Sequence, residues 1–227
     1  TSGAGAAGIA CLNLMVSLGL KRENVYLCDS QGVVTKERNV SDPGKRSYAQ
    51  DTDKRTLADA VNGADIFLGL SAAGVLKPEM VATMAENPLI LAMANPTPEI
   101  MPDVAHEVRP DAIVCTGRSD FPNQVNNVLC FPFIFRGALD VGATTINEEM
   151  KVAVVHALGE MTHCQPPDVV ARAYPGQTLQ YGPEYLIPKP FDPRLISVIS
   201  SALAQAAMDS GVATRPISDM KAYQAEL

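Results

Sequence analysis

Thr1-Ser2-Gly3-Ala4-Gly5-Ala6-Ala7-Gly8 decides how the rest of the chain is read. Gly3, Gly5 and Gly8 have the spacing G-x-G-x-x-G, and an apolar run suited to a helix follows from about Ala7 to Leu18. In the dinucleotide-binding form of this motif the first glycine permits a tight strand-to-helix turn. The second lets a pyrophosphate approach the backbone, and the third lets the helix pack closely. The helix N-terminus then offers free N–H groups and a positive dipole end to the phosphates. Because the sequence opens at the glycines, either the strand that should precede them lies upstream in a longer protein or the motif match is accidental.

A second feature sits at the matching distance. Gly19 can stop the helix, and Asn24-Val25-Tyr26-Leu27-Cys28-Asp29 reads as a short apolar strand ending in an acid. Asp29 falls 21 residues after Gly8, close to the ~20-residue offset of the acid that binds a cofactor ribose. Ser30 follows it. Lys36, Arg38, Lys45 and Arg46 come next, in a polar stretch with a turn at Asp42-Pro43-Gly44. A basic group there suits a 2′-phosphate, whereas an acid at the strand end suits an unphosphorylated ribose, so the residues leave NAD and NADP both open.

The pattern then repeats. Apolar strands near 24, 65, 89 and 112 alternate with helices near 7, 56, 78 and 102. Asp65 to Ser71, Leu89 to Ala94 and Ala112 to Thr116 are continuous apolar runs, as buried parallel strands are. Pro78 and Pro102 open helices, and Arg55 to Val61 is a short one. This is the signature of an α/β fold with a doubly wound, mostly parallel, Rossmann-like sheet, lacking its first strand in this chain and carrying extra C-terminal helices. Such sheets bind ligands outside the carboxyl ends of their strands. Residues 1–212 are expected to form the NAD(P)-binding domain and 213–227 a polar tail or linker.

The second half reads less regularly. Asp120 to Asn127 holds three asparagines and a glutamine, and runs directly into the apolar Val128 to Phe135. Neutral amides can donate and accept, so they suit a carboxylate, a hydroxyl or a carboxamide; they equally suit a helix cap over the core. Pro132 is expected to bend the helix there. Thr145 and Glu148 have capping-box spacing before a helix to about Thr162. Residues 163–189 read as loop, and Asp192-Pro193 opens a helix to about Ser210.

Composition excludes several classes. The 227 residues are 47% apolar and 19% charged, which is enough to bury a core and unlike a disordered chain. A net charge of −7 argues against nucleic acid as a main partner. No apolar run approaches 18 residues, so no membrane span is expected. Cys11, Cys28, Cys115, Cys130 and Cys164 form no C-x-x-C pair and read as small core residues of a reducing compartment. His106, His156 and His163 share no metal spacing.

These stretches together resemble the cofactor-binding half of malic enzymes of the large bacterial NADP-linked type. The resemblance rests on Ser2 to Ala7, Cys28-Asp29-Ser30, Gly63 to Gly69, Ala94-Asn95-Pro96, Cys115 to Asp120, Pro122 to Asn127, Phe131 to Leu139 and Ile187 to Asp192. It spans nearly the whole chain and is weakest from Asn39 to Thr52. It implies oxidative decarboxylation of malate to pyruvate and CO2, with NADP (or NAD) reduced, in a cytoplasmic homo-oligomer. By resemblance Ser2, Gly3, Ala4 and Gly5 hold the pyrophosphate, and Asp29 and Ser30 lie at the ribose. Asn95 serves both nicotinamide ribose and substrate, while Asn126 and Asn127 hydrogen-bond the substrate carboxylate. The family's divalent metal (Mg or Mn), with its acidic ligands, and the proton-transferring Lys and Tyr are expected upstream. No catalytic or metal residue is assigned in this chain, which by itself is expected to be inactive without the missing N-terminal catalytic region. Some members of this type carry a phosphotransacetylase-like domain further on, and the tail suits a linker to it. Two alternatives remain: the cofactor domain of an amino acid or folate dehydrogenase, and a non-catalytic dinucleotide-sensing module.

Overall fold

The computed structural model describes residues 1–227, which fall into two compact units, 1–124 and 125–227. In the first, the glycine motif bends straight into α1 (Ala6–Ser17), with Gly5 as its N-cap and no side chain capping it. A 3-10 turn at Arg22–Asn24 leads to β1 (Cys28–Asp29), which pairs antiparallel with β2 (Gly32–Val33). The strand expected from Asn24 is therefore shorter than its apolar run. After α2 (Pro43–Arg46) and α3 (Leu57–Val61) come β3 (Ile66–Gly69), α4 (Pro78–Ala82), β4 (Leu89–Ala92), α5 (Pro102–Val108) and β5 (Ile113–Thr116). β3, β4 and β5 are parallel, with Ile66 beside Leu89 beside Ile113 and Gly69 beside Ala92 beside Thr116.

The first residues already pair as the end of a strand between β1 and β3. Ser2 bridges Cys28 on one side and Gly69 on the other, both in parallel. Ser2 N donates to Leu68 O at 2.8 Å, and Gly3 N donates to Cys28 O at 3.0 Å. This sets the glycine turn at the carboxyl edge of a parallel sheet. Fully buried Phe67, Ile90, Val81 and Ala105 form a core around β3 and β4, and Leu12, Leu27, Val34 and Tyr48 form another under α1.

The second unit is helical. α6 (Phe131–Asp140), α7 (Glu148–His163), α8 (Asp168–Ala173), α9 (Arg194–Asp209) and α10 (Met220–Glu226) follow a 3-10 turn at Asn127–Leu129. Buried Leu129, Met150, Leu195, Ile199 and Leu203 form its core. α6 and α9 approach so closely at Gly137 that a Cβ there would lie 2.5 Å from Ser200 O. Pro132 does not bend α6: it lies in the helix's first turn, where its missing N–H has no partner to lose. Thr145 does not cap α7 either. Asn147 does, its Oδ1 accepting from Met150 N at 3.0 Å, because the helix starts two residues later than the box spacing implied. A short helix, α8, interrupts the expected loop. Ile217, Met220 and Tyr223 of the tail pack on the core, and Tyr223 Oη donates to Asp140 Oδ2 at 2.7 Å. No helix is long and apolar enough to cross a membrane.

Candidate dinucleotide site

The three glycines differ in what surrounds them. Gly3 has φ of +108°, and a Cβ there would lie 2.3 Å from Leu70 O. Only glycine takes that conformation and that approach without strain. A Cβ on Gly8 would lie 2.1 Å from Gly3 O, so the helix is seated directly on its own entry turn. Around Gly5 nothing lies within 4 Å, and the residue is exposed. The open glycine thus sits between two crowded ones. With α1 uncapped by any side chain, its first N–H groups are left for an anion.

Above these glycines lies a cleft of about 1240 Å3, ample for a dinucleotide. Ser2, Gly3, Ala4, Gly5, Asp29 and Ser30, all expected cofactor residues, line it together. Lys45 and Lys77 also border it, as does the small-residue turn Ser71 to Gly74 after β3. A second cavity of about 540 Å3 opens at the amino ends of β1 and β3 and holds none of the expected residues.

Asp29, the acid expected at the ribose, is not free. Arg38 Nη2 donates to Asp29 Oδ1 at 3.0 Å and to Oδ2 at 2.9 Å, and Gln31 N donates to Oδ1 at 2.9 Å. Lys45 Nζ lies 4.0 Å from Oδ2. Burial alone would push the Asp29 carboxyl up. The Arg38 and Gln31 hydrogen bonds, with the charges of Arg38 and Lys45, outweigh it and hold the group below the usual carboxylate range. Of the other basic residues expected here, Arg46 is turned onto Val40 O and Ser41 O, and neither it nor Lys36 lines the cleft.

Asn95 is exposed just past the carboxyl end of β4, in the same unit but outside the cleft lining, and its peptide bond to Pro96 is cis. Asn126 and Asn127 are exposed in the second unit, at a cavity of about 410 Å3 lined also by Leu129, Phe131, Ile134, Leu158 and Ile187. Asn126 Oδ1 caps the 3-10 turn through Val128 N at 3.0 Å. Capping therefore occupies its oxygen, while Asn127 carries no such task.

One residue of the site was invisible to the sequence reading. Glu99, in the turn Asn95-Pro96-Thr97-Pro98-Glu99, is fully buried. Its Oε1 accepts from Ser71 N at 2.9 Å and Ser71 Oγ at 3.3 Å, and its Oε2 accepts from Ala94 N at 2.9 Å. Ser71 Oγ in turn lies 2.8 Å from Ser2 Oγ. A Cβ on Gly69 would lie 2.5 Å from Glu99 Cδ, so the strand-end glycine makes room for the carboxyl. The one sequence signal was an acid set between Pro98 and Ile100 in a turn otherwise free of charge.

All five cysteines are free, and burial pushes the Cys115 thiol up to about 12, as suits an inert core residue. No three His, Cys, Asp or Glu side chains come together to hold a metal, so these residues do not fit the divalent ion that the resemblance implies.

Comparison with known proteins agrees with this geometry. The family described as malic enzyme, NAD binding domain, matches residues 1–177. The NAD-dependent malic enzyme of Rhizobium meliloti is 65% identical over 98% of this chain and 29% of its own length. The NADP-dependent malic enzyme of Salmonella typhimurium is 64% identical over 98% of this chain and 30% of its own. The crystal structure of malic enzyme from Pyrococcus horikoshii superposes with a TM-score of 0.83 at 32% identity, covering 99% of this chain and 51% of that one. The chain thus spans about a third or less of the curated relatives named here. With a glycine-turned helix at the edge of a parallel sheet and a match over most of its length, the chain belongs to the malic enzyme family, in its NAD-binding domain.

Proposed function

We propose that the intact protein converts malate to pyruvate and CO2 with reduction of NADP, and that this chain supplies the cofactor-binding portion. The observation that carries the reading is the open Gly5 between crowded Gly3 and Gly8, at the floor of a dinucleotide-sized cleft, in a chain of this family. When bound, the dinucleotide supplies the hydride acceptor. The chain's own residues bind and orient. The backbone from Ser2 to Gly5 and the start of α1 receive the pyrophosphate, and Asp29 and Ser30 border the ribose. Asn95 serves the nicotinamide ribose and the substrate, and Asn127, with Asn126, receives the substrate carboxylate through its amide. The metal and the proton-transferring groups belong to other parts of the polypeptide, in a cytoplasmic homo-oligomer.

The preference for NADP is supported by the state of Asp29. An acid at this strand end would repel a 2′-phosphate, but Arg38 engages both its oxygens and Lys45 stands at the cleft wall with its ammonium unspent by a close ion pair. The name of the Rhizobium meliloti relative favours NAD as the second reading.

Assay of the intact protein with malate and Mn2+ tests both. Metal-dependent turnover favouring NADP supports the reading, and turnover favouring NAD discards the 2′-phosphate argument. Cofactor binding without turnover on malate overturns the assignment. Asn127→Ala is expected to weaken malate use while leaving cofactor affinity near normal; unchanged malate kinetics would remove the role given to Asn127.

A further inference from the structure

Glu99 is a buried carboxyl with three donors and no cation. None of the chain's ion pairs includes it, so no cation lies within 4 Å of its carboxyl. Both oxygens act only as acceptors, toward Ser71 N, Ser71 Oγ and Ala94 N. The first two belong to the turn that lines the cleft after β3; the third precedes Asn95 after β4. The carboxyl therefore sits beneath the carboxyl ends of two adjacent parallel strands, where such sheets hold their ligands. Gly69 has given up its side chain to admit it.

In a doubly wound sheet the two halves of a dinucleotide lie on opposite sides of the central glycine turn. Asp29 and Lys45 mark one side, beyond β1, and Ser71, after β3, marks the other. The nicotinamide half falls over β3 and β4, and hence over Glu99. The oxidised ring carries a formal positive charge and the reduced ring carries none, while the adenosine, ribose and phosphate groups of the two forms are chemically the same. A fixed negative charge in a poorly screened interior discriminates between them. We propose that Glu99 is a positioning residue that holds the two strand-end turns, and that its charge makes the cleft favour oxidised over reduced dinucleotide. This rests on the reading that the cleft takes the cofactor.

The test is calorimetric titration of the intact protein with NADP+ and with NADPH, without malate or metal, at fixed pH and salt. In Glu99→Gln the ratio Kd(NADP+)/Kd(NADPH) is expected to rise about tenfold, the size given by unit charges ~10 Å apart at an effective dielectric of ~20. A neutral side chain that merely loosened the turns would weaken both forms by the same factor, and an unchanged ratio overturns the inference. Glu99→Asp keeps the charge and is expected to hold the ratio within about twofold. A tenfold rise there overturns the inference even where the Gln variant fails to fold. Unmutated protein that binds neither form overturns the cofactor reading itself, and this inference with it.

Discussion

Replacing each motif glycine by alanine separates folding from binding. At Gly3 the new Cβ would lie 2.3 Å from Leu70 O, and φ is +108°. The strained backbone costs ~1–3 kcal/mol and the overpacking a similar amount, so Gly3→Ala is expected to destabilise by about 3 kcal/mol. At Gly8 the backbone is ordinary, but the Cβ would meet Gly3 O at 2.1 Å. That oxygen belongs to the turn itself and cannot swing aside, so Gly8→Ala is expected to cost about 2 kcal/mol. At Gly5 φ is −83°, which alanine accepts, and nothing stands within 4 Å. The weaker N-cap and the stiffer unfolded chain nearly offset, leaving stability within about 1 kcal/mol of the parent. Yet this methyl points into the space that a pyrophosphate would fill. Gly5→Ala is therefore expected to keep its thermal midpoint and to bind NADP at least ~10-fold more weakly, a loss of ~1.4 kcal/mol. Thermal unfolding and calorimetric titration of the three variants of the intact protein measure both quantities. If Gly5→Ala bound within twofold of the parent, the pyrophosphate would not cross Gly5. If it unfolded as early as Gly3→Ala, the steric reading would be wrong.

Other variants test particular contacts. Tyr185 is fully buried and its hydroxyl has no hydrogen-bond partner, so Tyr185→Phe is expected to be neutral or to stabilise by about 1 kcal/mol in denaturant unfolding; marked destabilisation would show that the hydroxyl is satisfied. Asp29 has a depressed pKa in the folded state, so its ionised form contributes stability above its ordinary titration range, and that contribution disappears as pH falls through the folded value. The thermal midpoint of Asp29→Asn is accordingly expected to lie below the parent's at pH 7 and to converge with it in strong acid; a gap that persists there would exclude Arg38 pairing as its cause. Lys45→Ala is expected to weaken NADP about tenfold and NAD little, as loss of one phosphate-directed charge would; equal losses would place the 2′-phosphate elsewhere.

Much of this protein could be read along the chain because the governing physics is local. Gly3, Gly5 and Gly8 report a turn through their spacing, and Pro78 and Pro102 mark helix starts through their fixed φ. Continuous apolar runs near 66–69, 89–92 and 113–116 report the parallel strands of the sheet. Where local signals competed, spacing alone misled. Pro132 could bend a helix or begin one, and Thr145 could cap α7 only if the helix began earlier; in each case packing of α6 and α7 on the core decided.

The order of strands and helices and the glycine turn follow from the residue order, since backbone permission and hydrophobic period are properties of neighbouring residues. The electrostatics of the cleft arise on folding. Arg38 reaches Asp29 across nine positions, and Glu99 reaches Ser71 across twenty-eight. Whether an acid repels a phosphate, is cancelled by a guanidinium or lies buried beneath a strand end depends on distance and dielectric, and folding sets both.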